Sequence, residues 1–223
     1  MRGELSVLKL GRRDYSSALA LQNELHAARV AGEIADTLIL LEHDPVITLG
    51  RGARREHVLA TPEHLASLGI ELHEIGRGGD VTYHGPGQLV AYPILDLRPD
   101  RCDVRRYVRD LERVMIDVAE RYGVVARRVE GVTGAFVEDR KFGALGVRIS
   151  RWVTMHGIAI NISTDLNAFQ LIVPCGLPDT PVTSLSREAK RAIDMADAAA
   201  QTASAFARVF GYASFAEAGA SAR

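Results

Sequence analysis

The chain has 223 residues, of which 47% are hydrophobic and 25% charged, the balance of an ordinary globular domain with a buried core. A formal net charge of -1 gives no overall basic field for nucleic acid, and no apolar window approaches the ~20 residues of a membrane span or suits a secretory signal. We therefore expect one domain, 1–223, with a core at about 5–210 and a frayed tail at 212–223. We expect it in the cytoplasm, with neither nucleic acid nor membrane as partner.

The first half of the chain alternates predicted helices and strands. Asp14 is suited to cap a helix at 15–30 that Gly32 ends, and Thr61 opens a second, short helix. Around these helices lie apolar runs bounded by turn residues, which is typical of strands. The predicted strands are 37–41, 46–49, 71–75 and 89–95.

The second half repeats this alternation. Asp103 precedes a helix to about Tyr122, whose apolar residues recur every three or four positions. Strands follow at 134–137, 144–149 and 154–162, and an alanine-rich helix runs from about Arg187 to Phe210. Short turns such as 138–140 favour antiparallel pairing. The predicted fold class is therefore α+β, a mixed, largely antiparallel sheet flanked by helices.

The segment RGGDVTYHGPGQ, residues 77–88, concentrates four glycines around polar side chains. Glycines at this density let a backbone approach a ligand or another strand closely. A strand follows the segment, so it matches neither GxGxxG at the start of a helix nor GxxxxGK[ST], and no phosphate cradle is predicted. Two interpretations stay open on these residues alone, a ligand-binding loop or a turn between strands.

Lysines are rare in this chain, so few basic side chains other than histidine can lose a proton. Of the 27 basic residues only Lys9, Lys141 and Lys190 are lysines, and arginine is effectively never deprotonated. Lys141 precedes Phe142 and several small residues, where partial burial would favour a neutral amine that acts as a base; a turn lysine in water is the alternative. His156 lies in an apolar strand, and we interpret it as pocket lining.

The two cysteines, Cys102 and Cys175, are too few for a disulfide framework or for a zinc or iron–sulfur site within this chain. No metal and no other cofactor is expected. Cys175 lies between Pro174 and Pro178 in a stiffened loop, and Gly176 leaves the thiol side open. This arrangement suits a nucleophile, although an inert loop thiol fits the sequence equally well.

Four segments taken together resemble the lipoyl (octanoyl) transferase family of protein lipoylation. They are EHDPVITLGR at 42–51, RGGDVTYHGPGQ at 77–88, the strand from Lys141 to Gly146 with HGIAINI after it, and PCG followed by TSL at 183–185. The resemblance covers roughly residues 5 to 190. It implies a fold like the catalytic domain of biotin protein ligases and lipoate ligases, and fold alone does not separate these functions.

The resemblance also implies an activity. An octanoyl or lipoyl group would pass from octanoyl acyl carrier protein to a lysine ε-amine through a thioester on Cys175, with Lys141 favouring the thiolate. The acceptors would be the lipoyl domains of 2-oxoacid dehydrogenase E2 subunits and the glycine cleavage H protein, and the enzyme would be a monomer that needs no cofactor. The acyl groove would be lined by Arg77, Gly78, Gly79, Asp80, Val81, Thr82, Tyr83, His84, Ala144, Leu145, Gly146, Gly157, Ile158 and Ala159.

Several mechanistic details stay open in the sequence. The oxyanion donor would be the His84 side chain or a backbone N–H near Gly79 or Gly176. The base of the second half-reaction would be Lys141 or His84.

Rival functions also remain. An ATP-dependent lipoate or biotin ligase would not need Cys175, and a silent acyl-binding or lipoyl-binding protein would form no adduct. A papain-like hydrolase is disfavoured because its local cysteine signature is absent. The acidic carrier protein is expected to dock on arginines such as Arg54, Arg55 or Arg148.

Overall fold

The computed structural model of the chain describes residues 2–174 and 180–218. The helices are α1 Tyr15–Ala31, α2 Pro62–Ser67, α3 Val104–Arg121, α4 Leu185–Glu188 and α5 Met195–Phe210. The strands are β1 Arg2–Arg13, β2 Thr37–His43, β3 Val46–Leu49, β4 Glu71–Glu74, β5 Val81–His84, β6 Gln88–Ile94, β7 Arg127–Val129, β8 Val132–Val137, β9 Arg140–Ser150, β10 Val153–Asn161 and β11 Tyr212–Ala218. Among these helices, none has the length and apolar character needed to cross a membrane.

The strands form two sheets. The larger has eight strands in the order β11-β1-β2-β6-β10-β9-β8-β7. Strand β1 pairs in parallel with β2 and β11, and the remaining pairs of this sheet are antiparallel. The smaller sheet, β4-β3-β5, has one parallel and one antiparallel pair. The predicted α+β class, with a mixed and largely antiparallel sheet, is confirmed.

Helices cover both faces of the larger sheet. On β6, Leu89 and Ala91 pack in one core with α3 and α5, whereas Val90 and Tyr92 pack in a second core with α1. This division follows from the two-residue alternation of side chains along a strand. Because both faces are buried, β6 is apolar along almost its whole length. The smaller sheet has its own core, to which Phe169 contributes.

Helix ends follow the predicted caps. The side chain of Asp14 accepts the N–H of Ser17 at 2.8 Å, and Asp103 accepts that of Arg106 at 3.0 Å. Gly32 ends α1 with φ at 77°, a left-handed conformation that glycine adopts without a steric penalty. These positions are readable from the sequence because a cap involves residues within one turn.

The prediction of one continuous helix at 187–210 is wrong. The segment contains the end of α4, a turn at 189–194 and then α5. The carboxylate of Asp194 accepts the N–H of Asp197 at 2.9 Å and so begins a new helix, while Ser186 Oγ accepts the N–H of Ile193 at 3.2 Å within the turn. Side-chain hydrogen bonds therefore interrupt a run whose composition favours helix throughout.

The prediction of a frayed tail after Gly211 is also wrong. Strand β11 extends the larger sheet beyond β1, a strand that the apolar pattern did not reveal. The hydroxyl of Tyr212 donates to Asp36 at 2.7 Å, and Lys9 forms an ion pair with Glu217. The two ends of the chain thus order each other; residues 219–223 lie outside the described part.

Candidate active site

A cavity of about 450 Å³ has walls from both sheets, from α1 and α3, and from the glycine-rich segment. Its volume falls in the range of small-molecule sites. All the residues that the sequence assigned to an acyl groove line it, with the exception of Tyr83, and Lys141 lines it as well. The cavity is also lined by eight residues that no sequence pattern indicated: Tyr15, Val90, Tyr92, Val108, Gly131, Val132, Thr133 and Val147.

Tyr83 lies outside the cavity, so its assignment to the groove is wrong. It follows Thr82 and precedes His84 on β5, and strand alternation turns its side chain to the opposite face. There its ring packs edge-on against Phe169, with 5.7 Å between the ring centroids.

The first residues of the glycine-rich segment, 77–80, form a loop that lies against β9 and is held by the side chain of Arg77. The buried guanidinium of Arg77 donates to the carbonyl and hydroxyl oxygens of Thr48 at 2.8 and 2.9 Å and to the carbonyl of Gly78 at 3.1 Å. The N–H of Gly78 donates to Val147 at 2.9 Å. A Cβ at Gly146 would lie 2.8 Å from the Gly78 carbonyl, so the loop can lie this close to β9 only because Gly146 lacks a side chain.

Lys141 is almost completely buried, with 7% of its surface exposed. Its Nζ lies 5.6 Å from the centroid of the Phe136 ring, within the range of a cation–π contact. A Cβ at Gly134 would lie 2.6 Å from Cε of Lys141. The missing side chain of Gly134 therefore leaves the space in which the lysine lies, and the alternative of a turn lysine in water is wrong.

Cys175 and Gly176 lie outside the described residues, but the chain on either side is anchored beside Lys141. Pro174, the residue before Cys175, lines a small cavity of about 20 Å³ together with Lys141. After the segment, the backbone N–H of Lys141 donates to Pro181 at 2.8 Å, and its carbonyl accepts the N–H of Thr183 at 2.9 Å. The described residues on both sides of Cys175 therefore meet at this end of β9.

A second set of contacts connects Val173, two residues before Cys175, with Asp80 of the glycine-rich segment through His57. The backbone N–H of Val173 donates to His57 at 2.8 Å. The ring Nδ1 of His57 lies 2.6 Å from Oδ2 of Asp80, whose other oxygen accepts the N–H of Val81 at 2.7 Å. No sequence pattern indicates this pair, because His57 and Asp80 are 23 residues apart in the chain.

His84 is held by a chain of amide groups. Its Nδ1 lies 2.6 Å from Oε1 of Gln88, whose Nε2 donates to Tyr83 O at 3.1 Å and to Asn161 Oδ1 at 2.9 Å. Asn161 in turn donates to the carbonyl of Thr183 at 3.0 Å. These bonds orient both amides, so the proton of the His84 ring is assigned to Nδ1 and its Nε2 is an acceptor.

The environment of His84 limits its chemistry. Burial, with a smaller contribution from the neighbouring ring of His43, lowers the pKa of His84 to about 3. A ring that stays neutral at pH 7 and carries its proton on Nδ1 has no N–H on Nε2 to offer an oxyanion. This network disfavours His84 as oxyanion donor and makes it a weak base.

Behind the lining residues Tyr15, His84 and Tyr92 lies the buried side chain of His43. Burial lowers the pKa of His43 to about 4; its Nε2 lies 2.7 Å from the hydroxyl of Tyr92 and its Nδ1 lies 3.1 Å from the carbonyl of Arg13. Tyr15 packs beside His43 with 5.2 Å between ring centroids. No cluster of three or more histidine, cysteine, aspartate or glutamate side chains in the described ranges could hold a metal ion.

Comparison with known proteins identifies the family. The model of the lipoyl protein ligase A/B catalytic domain matches residues 14–207. The chain belongs to this family. Curated octanoyltransferases are similar to it: that of Solibacter usitatus is 52% identical over 92% of each chain, and that of Acidobacterium capsulatum 49% identical over 93% of this chain and 91% of its own. The octanoyltransferase of Myxococcus xanthus is 47% identical, and the match spans 59% of its length.

Solved structures agree with the family at the level of the fold. Lipoate-protein ligase A bound with ATP has a TM-score of 0.75 at 15% identity, over 98% of this chain and 89% of that one. Biotin protein ligase from Aquifex aeolicus in complex with biotin and ATP has a TM-score of 0.56 at 12% identity, over 93% of this chain and 70% of that one. At these identities the comparison establishes a shared fold and not a shared function. The predicted resemblance to the fold of ligase catalytic domains is confirmed.

Proposed function

We propose that this chain transfers an octanoyl group from acyl carrier protein to the lysine of a lipoyl domain, through a thioester on Cys175. Octanoyl transfer in protein lipoylation is the activity that the family and the relatives at about half identity support. The single observation that carries the mechanism is the buried Lys141 at one end of the cavity, where the residues flanking Cys175 are anchored.

In the first half-reaction the thiolate of Cys175 attacks the octanoyl thioester of the carrier protein. An ordinary thiol with a pKa near 8.5 is only a few per cent thiolate at neutral pH, so a neighbouring amine that takes or supports the proton accelerates this step. Lys141 is that amine. The new acyl-enzyme forms as the carrier thiol leaves, and the ammonium of Lys141 returns a proton to it.

In the second half-reaction the neutral amine of the acceptor lysine attacks the acyl-enzyme and an amide forms. Lys141 takes the proton from this amine in preference to His84, whose low pKa makes it a poor base. The developing oxyanion needs a donor. Gly79 lines the cavity and its backbone N–H donates to no residue in the described part, whereas the N–H of Gly78 donates to the carbonyl of Val147.

The donor and acceptor proteins would approach the rim of the cavity. Arg54 and Arg55 are exposed, and their only described ion pairs are with the equally exposed Glu56 and Glu74 at 3.5 and 3.7 Å, which hold them weakly. Arg148 lies beside the glycine-rich loop. Reversing these charges would weaken transfer from an acidic carrier protein and change its salt dependence; unchanged transfer would reject this docking site.

The decisive experiment is intact mass spectrometry after incubation with octanoyl acyl carrier protein, without ATP, for the wild type and Cys175→Ser. We expect an octanoyl increment on the wild type only, which a lipoyl domain then removes. A Cys175→Ser protein that ligates a free acid fully with ATP would favour a ligase. Octanoyl binding without an increment on either protein would favour a silent binding protein.

A further inference from the structure

The backbone at His156 has an unusual conformation for a strand. His156 lies within β10, yet its φ is 59°, in the left-handed region that a non-glycine residue seldom adopts. Ile158 pairs with Ala91, so two residues further along the antiparallel strands Pro93 faces His156. Proline has no N–H to offer the ladder, and the strand departs from regular geometry at this point. Such outliers persist where the surroundings hold them, often at ligand sites.

Gln22 of helix α1 holds this conformation. Its side chain is completely buried, and its Oε1 accepts the backbone N–H of His156 at 2.9 Å. Its Nε2 has no hydrogen-bond partner in the described part of the chain. The side-chain oxygen of a helix residue thus accepts the N–H of His156, which in a regular antiparallel ladder would point to the neighbouring strand, and so holds the backbone from which the imidazole projects.

The His156 ring faces the cavity with its nitrogens unused. The residue is 3% exposed and lines the cavity, and no described residue forms a hydrogen bond with the ring. Burial, and then the charges of Arg77 and Arg148, lower the pKa of His156 to about 4, so at pH 7 the ring has one donor and one acceptor. Buried polar atoms normally have partners; here only a ligand or water in the cavity can supply them.

His156 and Lys141 lie at opposite ends of the cavity. His156 pairs with Val147 of β9, six residues along that strand from Lys141, which is about 20 Å at the usual rise of a strand. Three bonds of extended chain span roughly 3.6 Å. On that scale the seven carbon–carbon bonds of an octanoyl chain span roughly 8 Å, and the fifteen of a hexadecanoyl chain roughly 18 Å, so only the longer chain comes near His156.

We infer that His156, positioned by Gln22, is a specificity-determining residue that limits the length of the acyl chain this enzyme transfers. The inference rests on the proposed octanoyl transfer with the thioester at the Lys141 end. An octanoyl tail ends before the imidazole and leaves the ring nitrogens open to water. A longer alkyl chain displaces that water and offers the ring nitrogens no hydrogen bond, so it binds less well.

The test compares kcat/KM for transfer from octanoyl and hexadecanoyl acyl carrier protein to a lipoyl domain. His156→Leu removes both ring nitrogens, and we expect the hexadecanoyl-to-octanoyl ratio of kcat/KM to rise about tenfold, the factor that corresponds to about 1.4 kcal/mol. His156→Asn keeps a polar side chain that tolerates the left-handed backbone, and we expect its ratio to stay near that of the wild type.

The role of Gln22 is tested by a matched pair. Gln22→Met removes the acceptor oxygen and keeps a side chain of similar size. We expect the ratio of kcat/KM to rise, as for His156→Leu. This variant also tests the proposal if His156→Leu fails to fold. Gln22→Glu keeps an acceptor and should restore the wild-type ratio. His26→Leu, on the same helix but outside the cavity lining, is the control for loss of a histidine.

An unchanged ratio in both His156→Leu and Gln22→Met, with octanoyl transfer still measurable, would overturn this inference and leave the proposed function standing. A wild-type protein that transfers no octanoyl group would overturn the proposed function itself. The two failures are therefore distinguishable in one set of assays.

Discussion

The two ends of the cavity differ in charge and in how their polar groups are satisfied. At one end Lys141 is buried against Phe136 in space left by Gly134, and its backbone anchors the chain that follows Cys175. At the other end His156 is neutral and its ring has no described hydrogen-bond partner. The protein itself surrounds Lys141, the side chain proposed to take part in the chemistry. The hydrogen-bonding capacity of the His156 ring is instead left for a ligand or water in the cavity.

The largest expected effect is on the rate of octanoyl transfer and concerns the Lys141 end of the cavity. Lys141→Met removes the amine that, in the proposed mechanism, exchanges protons with the thiol and the acceptor amine, and we expect octanoyl transfer to fall about a thousandfold, as for loss of a general acid–base group. Stopped-flow or quenched single-turnover transfer measures this loss. Lys190→Met, at an exposed lysine, is the control. A Lys141→Met enzyme within tenfold of the wild type would contradict the role of Lys141.

The second prediction tests whether a loss of folding stability by itself lowers the measured rate of octanoyl transfer. Asp36, remote from both ends, accepts hydrogen bonds from Arg29 at 2.8 Å, Arg2 at 3.0 Å and Tyr212 at 2.7 Å. Asp36→Ala leaves two largely buried guanidinium groups without this carboxylate, and we expect the free energy of unfolding to fall by about 3 kcal/mol. Chemical denaturation measures it. Octanoyl transfer per folded molecule should be unchanged, and a parallel loss of rate would contradict the separation.

The third prediction concerns the His156 end of the cavity and the pH dependence of the free energy of unfolding. The pKa of His156 is lowered from 6.5 to about 4 in the folded chain, so the unfolded chain binds the proton first as the pH falls. Stability from this group is complete above about pH 6.5 and declines toward pH 4. We expect His156→Asn to recover about 2 kcal/mol of that decline at pH 5 relative to pH 7. Urea denaturation at the two pH values measures the difference, and an identical decline in both proteins would contradict a buried neutral ring.

The smallest expected effect concerns the wall between the two ends. A Cβ at Gly146 would lie 2.8 Å from the Gly78 carbonyl and 2.9 Å from Cδ of Arg77. Gly146→Ala should push the loop from β9 and lower kcat/KM for octanoyl transfer about tenfold, since a small displacement of a binding wall is costly. Gly3→Ala, where no neighbouring atom lies within 4 Å, is the control. Equal kinetics in both variants would show that the loop tolerates the extra carbon.

The candidate site was predictable where its residues are close together in the chain. The glycine-rich segment and the strand from Lys141 hold most of the cavity lining, and both were found because unusual residue types cluster within a dozen positions. Tyr83 was misplaced inside such a cluster, because only the pairing of β5 decides which face each of its side chains takes. Tyr15 and Tyr92 gave no signal, since nothing in their neighbourhood differs from ordinary core positions.

The sequence by itself determined the family, the α+β class, the caps at Asp14 and Asp103, and the segments that carry chemistry. Each of these depends on residue types at fixed short spacing, which the chain retains before it folds. Only the tertiary structure decided that β11 pairs with β1, that His84 carries its proton on Nδ1, and that Gln22 turns His156 into the cavity. These features join residues that are far apart in the chain or depend on the orientation of neighbouring groups, and packing alone brings such groups into contact.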